Sequence, residues 1–177
     1  MMKKIINQIQ VIQGDITTAK VDCIVNAANE RLIKGGGVDH AIHVAAGPSL
    51  PIALRKIEHC PTGEAVLTPG FNLQAKWIIH AVGPIWDEFE NHMELKRLLL
   101  KTYESIYQIA QSRGFESIAI PNISTGVYGF PKDEAAKIAL ETTQQFLIQN
   151  QSKMKVIFYC YEDDNYSIYQ KLLSKLK

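Results

Sequence analysis

The chain has 177 residues, 46% hydrophobic and 21% charged, which suffices for one globular domain with a full core. Nineteen Lys and Arg against eighteen Asp and Glu leave a formal charge of +1, so bulk nucleic-acid binding has no electrostatic basis. No apolar run is long enough to cross a bilayer, and the start, MMKKIINQIQ, turns polar too soon for a signal peptide.

Taken in chain order, apolar runs of strand length fall near Ile5–Ile12 and Asp22–Asn26, followed by helical patterns over Val38–Ala46 and Pro51–His59. Strands near Ala65–Thr68 and Trp77–Val82 precede a helix over Met93–Arg113. A strand at Ser117–Ile120, a helix over Lys132–Asn150, a strand at Val156–Tyr161 and a helix over Tyr166–Leu176 complete the chain. The segments CIV, WII, IAI and VIFY lack polar alternation, which suits central strands buried on both faces. Strands alternating with helices predict an α/β fold with a largely parallel sheet, and ligands in such sheets bind at the carboxyl ends of strands. Without a linker, repeat or low-complexity tract, residues 1–177 read as a single domain. Three cysteines without a CxxC pair fit a reducing cytoplasm better than a disulfide framework.

Two segments, Val21–Gly47 and Ser117–Pro131, each run from strand through a Gly-rich loop into a helix. Such junctions expose backbone N–H groups and can hold an anion. In the first, Asn26 and Asn29 follow the strand, Gly35, Gly36 and Gly37 let backbone approach a ligand, and Val38 and Asp39 open the helix. The two carboxamides suit sugar hydroxyls, and Asp39 adds a carboxylate at the rim. Taken alone, Asn26 reads as a brace for the loop and Asp39 as a partner of the helix dipole; Asn29, Asp39 and three glycines together favour a site. In the second, Ser124, Thr125, Gly126, Val127, Tyr128 and Gly129 lead to a helix with Pro131 at its first position. Asp133 and Glu134 would repel an anion at the helix end, so the cradle is expected in the Ser124–Gly129 amides. Tyr128 either covers a sugar face or packs on the sheet edge.

Asp15, in Gly14–Thr17, can accept a hydrogen bond from an exocyclic amine or serve as an N-cap. Tyr161 can stack on a base or lie in the core rim. Neither GxxxxGK[ST] nor GxGxxG occurs, which argues against a P-loop and against ordinary NAD-dependent redox chemistry. His40 and His43, three apart on a helix, lack a cysteine or carboxylate cluster to complete a metal site, and no GxSxG elbow is present.

GDIT at Gly14–Thr17, VNAAN at Val25–Asn29, GGGVD at Gly35–Asp39, AIHVAAG at Ala41–Gly47 and TGEA at Thr62–Ala65 stand in this order. IHAVGPIW at Ile79–Trp86, ISTGVYGFP at Ile123–Pro131 and CYEDDNY at Cys160–Tyr166 follow. With these motifs the chain resembles the macro domain family, most of all the MacroD-type branch of ADP-ribose hydrolases and O-acetyl-ADP-ribose deacetylases. The resemblance implies a three-layer α/β/α sandwich with a mixed sheet and an ADP-ribose cleft at the strand ends. It implies that Asp15 binds the adenine amine beside the Ile16 backbone, with Tyr161 over adenine. It places the Ser124–Gly129 loop around the diphosphate and Tyr128 over the distal ribose, which Asn29 orients. Asp39 matches the acidic residue linked to hydrolysis. Lys34, His40 and Val44 depart from the usual Gly, Gly and Arg of that pattern, and Lys34 and His40 bear on rate and substrate choice.

The implied activity is hydrolysis of an ester on the distal ribose, in O-acetyl-ADP-ribose or in ADP-ribose attached to a protein Asp or Glu, without cofactor or metal. Asp39 is expected to orient water and ribose, helped by substrate phosphate oxygens. Three rivals differ in readout: a reader that binds without turnover, a phosphatase on ADP-ribose 1″-phosphate, and a poly(A) binder, which the neutral charge disfavours.

Overall fold

The computed structural model describes residues 5–176. Six strands form one sheet: β1 (Ile9–Gln13), β2 (Cys23–Ala27), β3 (Ala65–Pro69), β4 (Trp77–Ala81), β5 (Ser117–Pro121) and β6 (Lys155–Cys160). Among the described residues, five α-helices follow the first strand: α1 (Gly37–Ala46), α2 (Ser49–Ile57), α3 (His92–Ser112), α4 (Lys132–Gln149) and α5 (Asp163–Lys175). The strand order is β1-β6-β5-β2-β4-β3, parallel throughout except for the antiparallel edge pair β3–β4.

Strand pleating sends alternate residues to opposite faces, and each face is covered by helices. Cys23, Val25, Ile79, Ile118, Ile120 and Phe158 meet α3, α4 and α5 through residues such as Leu99, Tyr103, Leu140 and Tyr169. On the other face Ile24, Ile78 and Ala119 meet Ile42 of α1 and Leu50 and Leu54 of α2. Leu50 and Leu54, four apart, form the buried stripe of α2, and burying each contributes about 1.5–3 kcal/mol. The fold is therefore the expected three-layer α/β/α sandwich with a mixed, largely parallel sheet.

Element boundaries differ from expectation where a signal other than apolar periodicity acts. The first strand does not begin at Ile5. Ile5 and Ile6 are helical and buried, and the chain turns at Asn7–Gln8 before β1. Gln8 Nε2 holds that turn by donating to the carbonyls of Ser152 and Met154 at 2.9 and 3.0 Å. α2 starts at Ser49, with Pro51 in its first turn, where a missing N–H costs no bond. α5 starts at Asp163 rather than Tyr166, because Asp163 and Asp164 complement the dipole of its first turn. Pro131 is the N-cap of α4, and Lys132 its first residue.

The parallel strands β1, β6, β5, β2 and β4 bring their carboxyl ends, and the loops that follow, to one side of the molecule. A shallow open depression lined by Asp22, Glu116, Ser117 and Lys155 lies at the opposite side, by the strand starts.

Candidate functional site

β2 ends in Asn26 and Ala27, and the chain then runs through an exposed Gly35–Gly37 loop into α1. Gly36 caps α1 without any side-chain hydrogen bond, so the first amides of the helix stay unsatisfied. Among the described residues, the N–H groups of Gly36, Gly37 and Val38 have no protein acceptor. Gly37 holds φ +56°, and beyond it and Gly36 lies open space within 4 Å of where a Cβ would stand. A side chain at Gly37 would be strained by its backbone rather than by crowding. The Gly35 amide differs from its neighbours: it donates to Asp39 Oδ2 at 2.5 Å.

Asp39 sits in the first turn of α1, 4% exposed. Its Oδ1 accepts from Asn26 Nδ2 at 2.7 Å, so each carboxylate oxygen is held by one donor from beneath. Asn26, expected among the ligand-binding residues, is fully buried and does not line the cleft. Its Nδ2 also lies 3.1 Å from Nδ1 of His80 in β4, and His80 Nε2 lies 2.9 Å from Thr68 Oγ in β3. A polar residue in a central strand must find such partners, and this chain spans three neighbouring strands. Burial, with the nearby His43 charge adding to it, pushes the His80 imidazole down to about 3.

His43, one turn along α1 from Asp39, places Nε2 3.5 Å from Asp39 Oδ1. Burial lowers the affinity of its ring for a proton; the Asp39 charge opposes this, while Lys34 and His40 reinforce it. Asn29 stands at the mouth, half-buried, with Nδ2 donating to the Ile33 carbonyl at 2.6 Å and Oδ1 accepting from the Ile33 amide at 3.3 Å. One amide hydrogen and one lone pair remain free for a ligand. A Cβ at Gly35 would stand 3.4 Å from Asp39 Oδ2 and 3.6 Å from Asn29 Nδ2, so the two side chains flank the same short stretch of backbone.

β5 neighbours β2, so the Ser124–Gly129 loop rises beside the first loop. Ser124 has φ +66°, a left-handed conformation for a side-chain-bearing residue, and its buried Oγ has no partner among the described residues. Gly83 makes room for it: a Cβ there would lie 2.2 Å from Ser124 Oγ. Thr125 Oγ donates to the Asn122 carbonyl at 2.9 Å, the Gly129 amide to Gly126 at 2.9 Å and the Phe130 amide to Ser124 at 2.9 Å. These bonds close the loop while the amides of Gly126, Val127 and Tyr128 find no acceptor among the described residues. The Trp86 amide donates to the Tyr128 carbonyl at 2.7 Å. Burial raises the Tyr128 hydroxyl pKa, and the charges of Glu30 and Asp39 raise it further.

Further along the sheet edge, β6 and β1 carry the remaining expected residues. Tyr161 directly follows β6 and is 81% exposed, so it is not core. Asp15 caps the short 3-10 turn Ile16–Thr18 through Oδ1, which accepts from the Thr17 amide at 2.9 Å and the Thr17 hydroxyl at 2.8 Å. Oδ2 has no partner among the described residues, so capping and amine recognition are compatible. Ile16 is buried, and its N–H has no protein acceptor among those residues. Among the described residues no group of three or more His, Cys, Asp or Glu is placed to hold a metal ion.

The strand ends thus carry two loops of unused amides, a buried carboxylate at the start of α1 and, past β6, an exposed aromatic. The Macro domain family model covers residues 25–139, more than half of the chain. The chain belongs to the macro domain family. It is 46% identical over 173 residues to the O-acetyl-ADP-ribose deacetylase of Escherichia fergusonii, covering 96% of this chain and 97% of that relative. The Oceanobacillus iheyensis macrodomain with ADP superposes with a TM-score of 0.88 at 43% identity, covering 94% of this chain and 90% of that one. The Trypanosoma brucei macrodomain in complex with ADP-ribose gives a TM-score of 0.90 at 38% identity, covering 96% of this chain and 71% of that one.

Proposed function

We propose that this macro domain binds ADP-ribose across its strand ends and hydrolyses an ester on the distal ribose. O-acetyl-ADP-ribose is the small substrate, and mono-ADP-ribose on a protein Asp or Glu is the larger one. The observation that carries this reading is Asp39: a buried carboxylate held from below by Asn26 and Gly35, directly under a mouth of unused amides.

From β2 to β1 the cleft crosses three inter-strand steps, roughly 14 Å at about 4.8 Å each, which suits an extended dinucleotide-like ligand. Adenine lies at the β6–β1 end, its amine on Asp15 Oδ2, its ring nitrogen at the Ile16 amide and its face under Tyr161. The diphosphate takes the Gly126–Tyr128 amides and those of Gly36–Val38, an anion between two sets of N–H donors. Tyr128 covers the distal ribose, and Asn29 fixes a hydroxyl through its free hydrogen and lone pair.

Asp39 retains one unused lone pair on each oxygen. Through them it orients the ribose and a water for attack on the acyl carbon. The acyl C–O(ribose) bond then breaks, the ribose oxygen takes up the proton drawn from the water, and carboxylate and ADP-ribose are released. Orientation is the main contribution of Asn29 and Asp39, with substrate phosphate oxygens assisting proton removal from the water. The three cysteines are buried and unpaired, which suits the cytoplasm, and residues 1–177 act as one domain. No helix among the described residues is long and apolar enough to cross a membrane.

Chromatography of O-acetyl-ADP-ribose incubated with the protein tests the reading. Wild type should yield ADP-ribose, while Asn29→Ala and Asp39→Ala should each lose about 10²-fold or more in kcat. Tight ADP-ribose binding with no conversion would make the protein a reader instead.

A further inference from the structure

We propose that His80 is a positioning residue for Asp39: its Nδ1 fixes the Asn26 carboxamide, and that carboxamide fixes the Asp39 carboxylate. The inference rests on the hydrolase reading above and extends it to a residue of β4, one strand beyond β2.

The polarity of the chain can be worked out atom by atom. The Thr68 hydroxyl donates to the Pro69 carbonyl at 3.1 Å, so it presents a lone pair to His80 Nε2 at 2.9 Å. Nε2 therefore carries the ring proton, and Nδ1 is the bare acceptor. His80 and Asn26 are direct register partners across β4 and β2, and Asn26 Nδ2 reaches Nδ1 at 3.1 Å. The second hydrogen of Nδ2 goes to Asp39 Oδ1 at 2.7 Å. Both hydrogens are used, while Asn26 Oδ1 has no partner among the described residues. The carboxamide is thus held wholly through its nitrogen, and reversing it would set its oxygen against the Asp39 carboxylate.

Thr68, His80, Asn26 and Asp39 are all at most 4% exposed, so water does not replace a lost partner. Burial keeps the ring neutral, and the neighbouring His43 acts in the same direction. Without an acceptor at Nδ1, one Asn26 hydrogen has nowhere to go, and the carboxamide turns about its last side-chain bond. Asp39 Oδ1 then loses its angular restraint while Gly35 still holds Oδ2. His80 touches no part of the cleft, so the loss falls on turnover and not on ligand capture.

The test compares His80→Leu, His80→Gln and Thr68→Val with wild type in O-acetyl-ADP-ribose turnover and in calorimetric ADP-ribose binding. His80→Leu is expected to lower kcat about 10- to 100-fold, with KM and the ADP-ribose Kd within about twofold. His80→Gln, whose side-chain carbonyl can accept from Asn26, should recover most of that loss, and Thr68→Val, which removes the acceptor that fixes the ring proton on Nε2, should fall between wild type and His80→Leu in kcat with the ADP-ribose Kd again within about twofold. Unchanged kcat in His80→Leu overturns the proposal, as does a parallel loss of kcat and binding that His80→Gln fails to relieve. Should His80→Leu not fold, nitrogen-15 spectra of histidine-labelled wild type decide: an Nε2–H neutral ring at His80 upholds the arm, and an Nδ1–H or charged ring refutes it. Those spectra need no turnover, so a wild type that fails to hydrolyse the ester would sink the hydrolase reading without deciding the arm.

Discussion

Acid should unfold this protein through His80, by an amount the structure allows to be worked out. In the unfolded chain an imidazole titrates near about 6.5. In the folded chain burial pushes His80 down to about 3. Between those values the unfolded state carries a proton that the folded state refuses. Its contribution to stability is therefore complete above about 6.5 and is lost steadily as pH falls toward the folded value. Going from neutrality to about pH 4.5 crosses roughly two units of that window, at about 1.4 kcal/mol each, for a loss of about 2–3 kcal/mol from this one ring. Set against a typical total of about 5–15 kcal/mol, the loss is large. Urea unfolding at both pH values, followed by the fluorescence of Trp77 and Trp86, measures it in wild type and in His80→Gln. Carboxylates and His43, whose ring burial also lowers, remain in both proteins and cancel in the comparison. Wild type should lose about 2–3 kcal/mol more than His80→Gln. Equal losses would mean that His80 takes up its proton in the folded state, and the assigned hydrogen-bond chain would fall with it.

Other outcomes follow from single positions. Gly83→Ala would put a Cβ 2.2 Å from Ser124 Oγ and 2.6 Å from Ile123 Cγ2, so it should cost about 1–3 kcal/mol in urea unfolding and weaken ADP-ribose binding as the second loop shifts. Tyr161→Ala should raise the ADP-ribose Kd by the loss of one stacking contact, about 1–3 kcal/mol, with kcat at saturation unchanged; an unaltered Kd would remove Tyr161 from the adenine site. Lys34→Ala removes a positive charge that holds the His43 ring low, so a histidine titration followed by NMR should move upward; no movement would show that Lys34 points away from α1.

The expected fold rested on apolar strand runs alternating with helices, and that pattern maps onto real elements because a doubly covered parallel sheet needs it. Strand order was beyond its reach: that β5 and β2 are neighbours, and hence that the two Gly-rich loops face each other, depends on contacts distant in sequence. Ile5 and Ile6 misled because an apolar pair fits a helix end as well as a strand. Asn29, Asp39 and the glycines stood out through composition, since loops rich in Gly and small polar residues have few purposes in so small a domain. The supporting shell did not stand out. In the sequence Asn26 suits a ligand or a brace for its loop, and His43 offers only a metal-ligand reading. His80 has no loop motif to mark it; its only signal is that a polar residue closing the run WIIHA, like Asn26 in CIVNA, must be hydrogen-bonded inside the sheet.

The two halves of the site obey different physics, and the difference has a functional reading. The mouth is built from exposed backbone: Gly36 and Gly126 have open space around them, and Val127 is 97% exposed. Such segments bind through amides and adapt at little cost. The floor is built from side chains with no route to solvent, pinned across β3, β4 and β2 by short directional bonds. A carboxylate on the mouth would share its mobility, whereas Asp39, placed at the first turn of α1, belongs to both halves. It borders the mouth above and is held by the sheet from below. Changes at the exposed backbone of the mouth should therefore act chiefly on affinity, and changes at Asn26, Asp39 and His80 chiefly on turnover. Lys34 and His40 lie on the mouth side of that division, so their effect should show in which esters are admitted before it shows in the rate of the chemical step.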